Sequence, residues 1–92
     1  MPSIKIPTPL RPYTSNSAQV DVSGATVGEA LTDLVTRYPD LKPHLYNGGE
    51  LRNFVNVFLG EEDIRFLNGL ETDLEPTDAL RIIPSIAGGV RR

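Results

Sequence analysis

An α+β fold, with one main helix laid over a mixed sheet of four to five strands, is predicted by three observations. Ser3-Ile4-Lys5-Ile6 alternates polar and apolar residues, the period of a strand with one face on a core. Val27, Ala30, Leu31, Leu34, Val35 and Tyr38 recur at three- and four-residue spacing, which gathers them into a single helical stripe. Phe54-Val55-Asn56-Val57-Phe58-Leu59 is rich in β-branched and aromatic residues and is the strongest strand signal in the chain. Neither a helix nor a sheet can hide its apolar side alone, so the helix must cover the sheet.

The elements follow in order. Pro7, Pro9 and Pro12 end the first strand and lead into a polar loop, Thr14-Ser15-Asn16-Ser17. Val20 and Val22 alternate with Gln19 and Asp21, giving a second strand and a hairpin with the first. Ser23-Gly24 reads as a turn. Thr26 and Glu29 have the spacing of a capping box, with Thr26 accepting from the amide of Glu29 and Glu29 reaching back to the amide of Thr26. The helix over 27–38 stops before Pro39, which disfavours helical geometry in the residue preceding it. Asp40–Tyr46 holds a helical turn that tucks Leu41 and Leu45 under the sheet, and Asn47–Glu50 is a loop. After the main strand, Gly60–Asp63 turns the chain, Ile64–Phe66 returns as a short strand, and Asn68-Gly69 marks another turn. Leu80–Ile83 is the final strand, and Pro84, lacking an amide proton, is expected to end its pairing.

Placing the first and last strands side by side at the centre, with the helix crossing over them, gives the β-grasp, or ubiquitin-like, architecture. The body is expected over residues 1–84 and a flexible C-terminal tail over 85–92, carrying a diglycine, Gly88-Gly89, and a three-residue extension. Ser85, Ala87 and the two glycines offer almost nothing to a core, and Ile86 is the one large apolar residue between Pro84 and the diglycine. A tail of this kind is either a frayed end or a segment made for insertion into another protein.

Composition narrows the function. Ninety-two residues form one small domain, burying roughly 60–65% of its unfolded surface without enclosing a roomy pocket. There is no cysteine, hence no disulfide, thiolate metal site or cysteine nucleophile. The apolar runs are too short to span a bilayer, and no secretory signal is read at the N-terminus. Twelve acidic against nine basic residues give a net charge of −3, which argues against nucleic acid. Without Val90-Arg91-Arg92 the balance becomes twelve against seven, or −5, a surface suited to a basic partner. No carboxylate pair and no hydroxyl with an attendant base suggest catalysis by this domain. His44, the single histidine, has no companion ligands at useful spacing, and Glu61-Glu62-Asp63 reads as a solvated turn rather than a cation site.

Alternation within the main strand sends Phe54, Asn56 and Phe58 to one face and Val55, Val57 and Leu59 to the other. Polar Asn56 assigns its face to the side away from the helix. Phe54 and Phe58, with Ile83 beside them and Arg81 at the rim, then form an apolar patch for a partner, to which Ile86 adds. The alternative is that the rings pack beneath loops.

These residues carry a resemblance. Ile4-x-Ile6-Pro7-Thr8-x-Leu10-Arg11-Pro12, Thr26-Val27-Gly28 and Arg52-Asn53-Phe54-Val55-Asn56-Val57-Phe58 occur in order. Glu62-Asp63-Ile64-Arg65-Phe66, Gly69-Leu70, Asp78-x-Leu80-x-Ile82-Ile83-Pro84 and Ala87-Gly88-Gly89 complete the series. The sequence resembles the MoaD/ThiS family of ubiquitin-like sulfur carriers over essentially its whole length, and within it the CysO type.

The resemblance implies a cytoplasmic carrier, not an enzyme, with no bound cofactor. A partner adenylyltransferase related to ubiquitin-activating enzymes would use ATP to adenylate the Gly89 carboxylate, and a sulfur donor would convert it to a thiocarboxylate. In the CysO-type route that sulfur is passed to an aminoacrylate on a pyridoxal-phosphate cysteine synthase, and a JAMM-type zinc metalloprotease releases cysteine. Most members stop at the diglycine, whereas Val90-Arg91-Arg92 follow it here. The chain is therefore expected to be a precursor cut at Gly89–Val90, as in some relatives. A ubiquitin-like modifier joined to lysines through Gly89, a molybdopterin or thiamin sulfur carrier, and an interaction module with an inert tail remain as alternatives.

Overall fold

The computed structural model describes residues 1–47, 50–52 and 55–84. Strand β1 (Ser3–Lys5) leads through a 3-10 helix at Thr8–Thr14 into β2 (Gln19–Asp21), which pairs with it antiparallel. Helix α1 (Val27–Arg37) follows, then a 3-10 turn at Pro39–Leu41 and the short helix α2 (Lys42–Leu45). β3 (Tyr46–Asn47) and β4 (Glu50–Leu51) pair with each other apart from the main sheet, so the expected loop over 47–50 is bounded by a small hairpin. β5 (Val55–Leu59), β6 (Glu62–Asp63) and β7 (Ala79–Pro84) complete a five-stranded sheet of order β2-β1-β7-β5-β6. β1 and β7 run parallel at its centre, with Ile4 opposite Leu80, while β5 lies antiparallel to β7. This is the β-grasp fold.

The apolar stripe of α1 is what closes the core. Val27, Ala30, Leu31 and Leu34 are fully buried and pack in one cluster with Ile4, Val20, Val57, Leu80 and Ile82. Leu41 and Leu45 are sealed in the same cluster, as their spacing predicted. Thr26 caps the helix, its hydroxyl accepting from the Glu29 amide at 3.2 Å. The reciprocal bond differs from the expected one: the Glu29 carboxylate accepts from the amide of Ala25, at 2.8 Å. Residues 72–74 run antiparallel to 25–27 there, with Val27 donating to Thr72, Leu74 donating to Ala25, and Thr26 bridged to Asp73. Ala25 thus presents its own amide to the glutamate. A Cβ at Gly28 would lie 3.0 Å from the Leu70 carbonyl, so glycine lets the 69–71 turn rest closely against the first turn of α1 and a larger residue would push it outward by a few tenths of an ångström.

Three other expectations are corrected. Thr14, read as part of a polar loop, is fully buried at the end of the 3-10 helix, where its hydroxyl meets the carbonyls of Arg11 and Ser17. The strand returning beside β5 is Glu62–Asp63, and Ile64–Phe66 is a 3-10 turn. Asp63 is the cause: its carboxylate accepts from the Arg65 amide at 2.9 Å, an N-cap that starts helical geometry. Pro84 does not shorten the last strand but pairs with Val55. Antiparallel pairs alternate between bonded and non-bonded, and the Gly60 amide donates to Ala79. Counting along the register from there, Val55 and Pro84 fall in the non-bonded set, where β5 asks nothing of a proline amide.

Asp33 holds the β2–α1 connection to the helix. Its carboxylate accepts from the Ser23 amide at 3.0 Å and from Arg37 at 2.9 Å, and Arg37 also donates to the Asp21 carbonyl. The Ser23 bond lowers the Asp33 pKa; partial burial opposes it, and Arg37 adds to the lowering.

Leu31→Ala should cost about 3 kcal/mol and lower the melting temperature by roughly 12–24 °C, measured by thermal and urea unfolding. Because the folded pKa of Asp33 is depressed, its contribution is complete above the ordinary value of 3.8 and is lost as pH falls through the folded value. Asp33→Asn should therefore unfold at less urea than the parent at pH 7 and lose less stability on further acidification below 3.8.

Candidate functional site

The outer face of the sheet, away from α1, is built from alternate residues. Val55 and Val57 turn into the core with Leu80 and Ile82, which sends Asn56, Phe58, Arg81 and Ile83 outward. Register places one residue from each strand in a row across this face: Gln19, Lys5, Arg81, Phe58 and Asp63. Ile83 is paired with Asn56 and is 38% exposed. The Asn56 side-chain amide donates to the Ile83 carbonyl at 3.2 Å, tying down β7 one residue before Pro84.

Three of the sequence-selected partner residues, Phe58, Arg81 and Ile83, are thus brought together. Arg81 is a lid rather than a rim: its guanidinium carbon stands 6.0 Å from the centre of the Phe58 ring, and its Nη2 donates to the Gly60 carbonyl at 3.3 Å. Phe58 is half-buried. Gly60 itself turns at φ 65°, which glycine adopts without strain and which aims this carbonyl at Arg81. Phe54, Ile86, Gly88, Gly89 and Val90-Arg91-Arg92, with the rest of 85–92, lie outside the described residues.

Away from this face, His44 stacks on Tyr13 with ring centroids 4.1 Å apart, a packing role. Burial raises the pKa of Tyr46, so its hydroxyl stays protonated at neutral pH. Among the described residues no cluster of three or more His, Cys, Asp or Glu could hold a metal ion, and no helix is long and apolar enough to cross a membrane. In the Glu61–Asp63 turn, Asp63 is engaged by Arg65.

The sequence profile of the ThiS family matches residues 4–89. The chain belongs to the ThiS family. It is similar to the sulfur carrier protein CysO of Mycobacterium tuberculosis, with 38% identity over 90 residues, 95% of this chain and 97% of that protein. Among solved structures, a chain in the BexX/CysO complex of Amycolatopsis orientalis superposes with a TM-score of 0.88 at 38% identity, covering 97% of this chain and all of that one. The small archaeal modifier protein 1 of Methanosarcina acetivorans superposes at 0.86 with 29% identity, over 96% of this chain and 95% of that one. These matches agree with the ubiquitin-like β-grasp found here.

Sequence reasoning missed a second exposed group on this ThiS-family chain: Phe66, Leu67 and Leu70, at 82%, 40% and 36% exposure. Asp63 before a lone inward Ile64 is the signal that could have exposed it, since a capped single turn buries one side chain and leaves its neighbours outside.

Arg81→Ala should uncover Phe58 while costing no more than about 1 kcal/mol in urea unfolding, the range of an exposed cation–π contact. A loss above about 2 kcal/mol would mean that Arg81 supports the β5–β7 pair itself.

Proposed function

We infer that the chain is a sulfur carrier whose working group is the carboxylate of Gly89. One observation carries this reading: the ThiS-family match ends on the second glycine of the Gly88-Gly89 pair, and Val90-Arg91-Arg92 fall beyond it. The similarity to CysO, a protein named for sulfur carriage, supports it along the whole chain.

The chemistry proceeds in three balanced steps. Hydrolysis of the Gly89–Val90 bond frees the Gly89 carboxylate. One of its oxygens attacks the α-phosphorus of ATP on an activating adenylyltransferase, and pyrophosphate leaves. Hydrosulfide then attacks the glycyl carbonyl, AMP leaves, and the thiocarboxylate remains. Glycine suits these steps because no Cβ shields the carbonyl or blocks a narrow channel. The folded domain supplies position, and the partners supply ATP, pyridoxal phosphate and zinc chemistry. That explains how a protein without cysteine carries sulfur.

The outer sheet face is the docking surface for the activating enzyme in this reading, with Ile83 as an apolar anchor and Arg81 and Lys5 beside it. That CysO is found in complex with another protein, BexX, supports a partner-dependent role. Sulfur delivery to cysteine, through a pyridoxal-phosphate synthase and a JAMM-type metalloprotease in the cytoplasm, follows the likeness to CysO. Conjugation to target lysines through Gly89 is the second reading, favoured by the likeness to a small archaeal modifier protein.

Residues 1–89 incubated with the activating enzyme, ATP and sulfide should gain the mass of one oxygen-to-sulfur exchange, located at Gly89 by fragmentation. The 1–92 chain should gain nothing until Val90–Arg92 are removed. A ladder of adducts on other proteins would favour the modifier, and no change in either assay would refute both. Ile83→Glu should fold as the parent does, yet slow adenylation by about tenfold or more.

A further inference from the structure

The group missed in the sequence has no part in the proposed tail chemistry. Phe66, 82% exposed, is the most exposed large apolar side chain among the described residues, and Leu67 and Leu70 accompany it. They are presented by two successive 3-10 turns, Ile64–Phe66 and Gly69–Glu71. The presentation is built rather than incidental. Asp63 caps the first turn, and Thr72 accepts from the Asn68 amide at 3.0 Å while donating to the Gly69 carbonyl at 2.8 Å. The second turn is seated against α1 at Gly28.

We propose that Phe66, Leu67 and Leu70 form a docking site for a basic amphipathic segment of a partner protein. Charge selects the occupant. Residues 61–78 hold seven of the twelve carboxylates in the chain, Glu61, Glu62, Asp63, Glu71, Asp73, Glu75 and Asp78, against one cation, Arg65. Arg65 is committed to Asp63 at 3.3 Å. An apolar group carried on so acidic a segment suits apolar anchors flanked by lysine or arginine. A second copy of this chain would bring two such acidic segments together and be repelled.

Shape adds to charge. Leu70 forms one end of an open groove of about 620 Å³ that follows the exposed side of α1 past Gly28 and Thr32 to Tyr46. An elongated segment anchored at Phe66 would continue along it. On the other side, Ile64 and Arg65 share a smaller groove with Val55, the partner of Pro84 in the sheet. A protein bound here would therefore sit near the end of β7 while leaving the Arg81–Ile83 face free. The site does not depend on sulfur loading of Gly89.

The test is a titration of the ¹⁵N-labelled 1–92 chain with a synthetic amphipathic helix of leucine and lysine, followed by NMR. Shifts should concentrate at 64–71 and the first turn of α1. Phe66→Ser should weaken binding by about tenfold, and Glu71→Lys with Glu75→Lys should do likewise. A matched leucine–glutamate peptide should bind at least about tenfold more weakly, and raising NaCl from about 20 to about 500 mM should lower affinity. Thermal unfolding of each variant checks the fold. Shifts centred on Lys5, Arg81 and Ile83, or undiminished binding by Phe66→Ser, would overturn the proposal. So would Phe66-dependent dimerisation in sedimentation equilibrium, or shifts at 64–71 caused by deleting residues 90–92 without peptide, since either would assign the surface to this chain itself.

Discussion

The parallel pairing of β1 with β7 is the constraint on which the molecule depends. Parallel strands cannot be joined by a tight turn, so the chain between them must make a long crossover. Helix α1 lies within that crossover, and its apolar stripe covers Ile4 and Leu80 where the two strands meet. Each strand has a second neighbour, β2 on one side and β5 on the other. The last described segment of the protein is thereby held at the middle of the sheet rather than on an edge.

That placement decides what the outer face contains. A central β7 exposes Arg81 and Ile83 between residues contributed by β1 and β5, so cationic Lys5, aromatic Phe58 and aliphatic Ile83 meet although they are distant in sequence. The same strand runs on to Pro84, after which the sequence proceeds to Gly88-Gly89. In the proposed reading, the docking surface and the stretch of sequence that leads to Gly89 thus belong to one element. Carriage by such a design would need no catalytic group, only a firm body and a glycyl end that another protein can work on.

The connection over 61–78 has a different character. Between β6 and the bridge at Asp73 it is held by caps and side-chain bonds from Asp63 and Thr72 and leans on α1 at a glycine, so residues 64–71 present apolar side chains outward without strand pairing. Its carboxylates make it the most acidic part of the chain, while the row across the outer sheet face sets Lys5 and Arg81 beside the single carboxylate of Asp63. Two surfaces that differ this much in charge would, in the proposed reading, let two partners be told apart electrostatically.

By itself the sequence determined the helix, its cap and its apolar face, the core role of Leu41 and Leu45, and the inward and outward sides of β5. Those features follow from local periodicity and from residues that fix backbone geometry within a turn, so neighbours along the chain suffice. The order of motifs ending in the diglycine likewise made the ThiS family legible. Only the tertiary structure decided that Glu29 binds Ala25, that Arg81 lies over Phe58, that Pro84 is tolerated in β7, and that Phe66 faces water. Each of these is settled by what lies opposite in space, the 72–74 segment, the β5 register or the Asp63 cap, and no periodicity along the chain encodes which distant backbone arrives beside it.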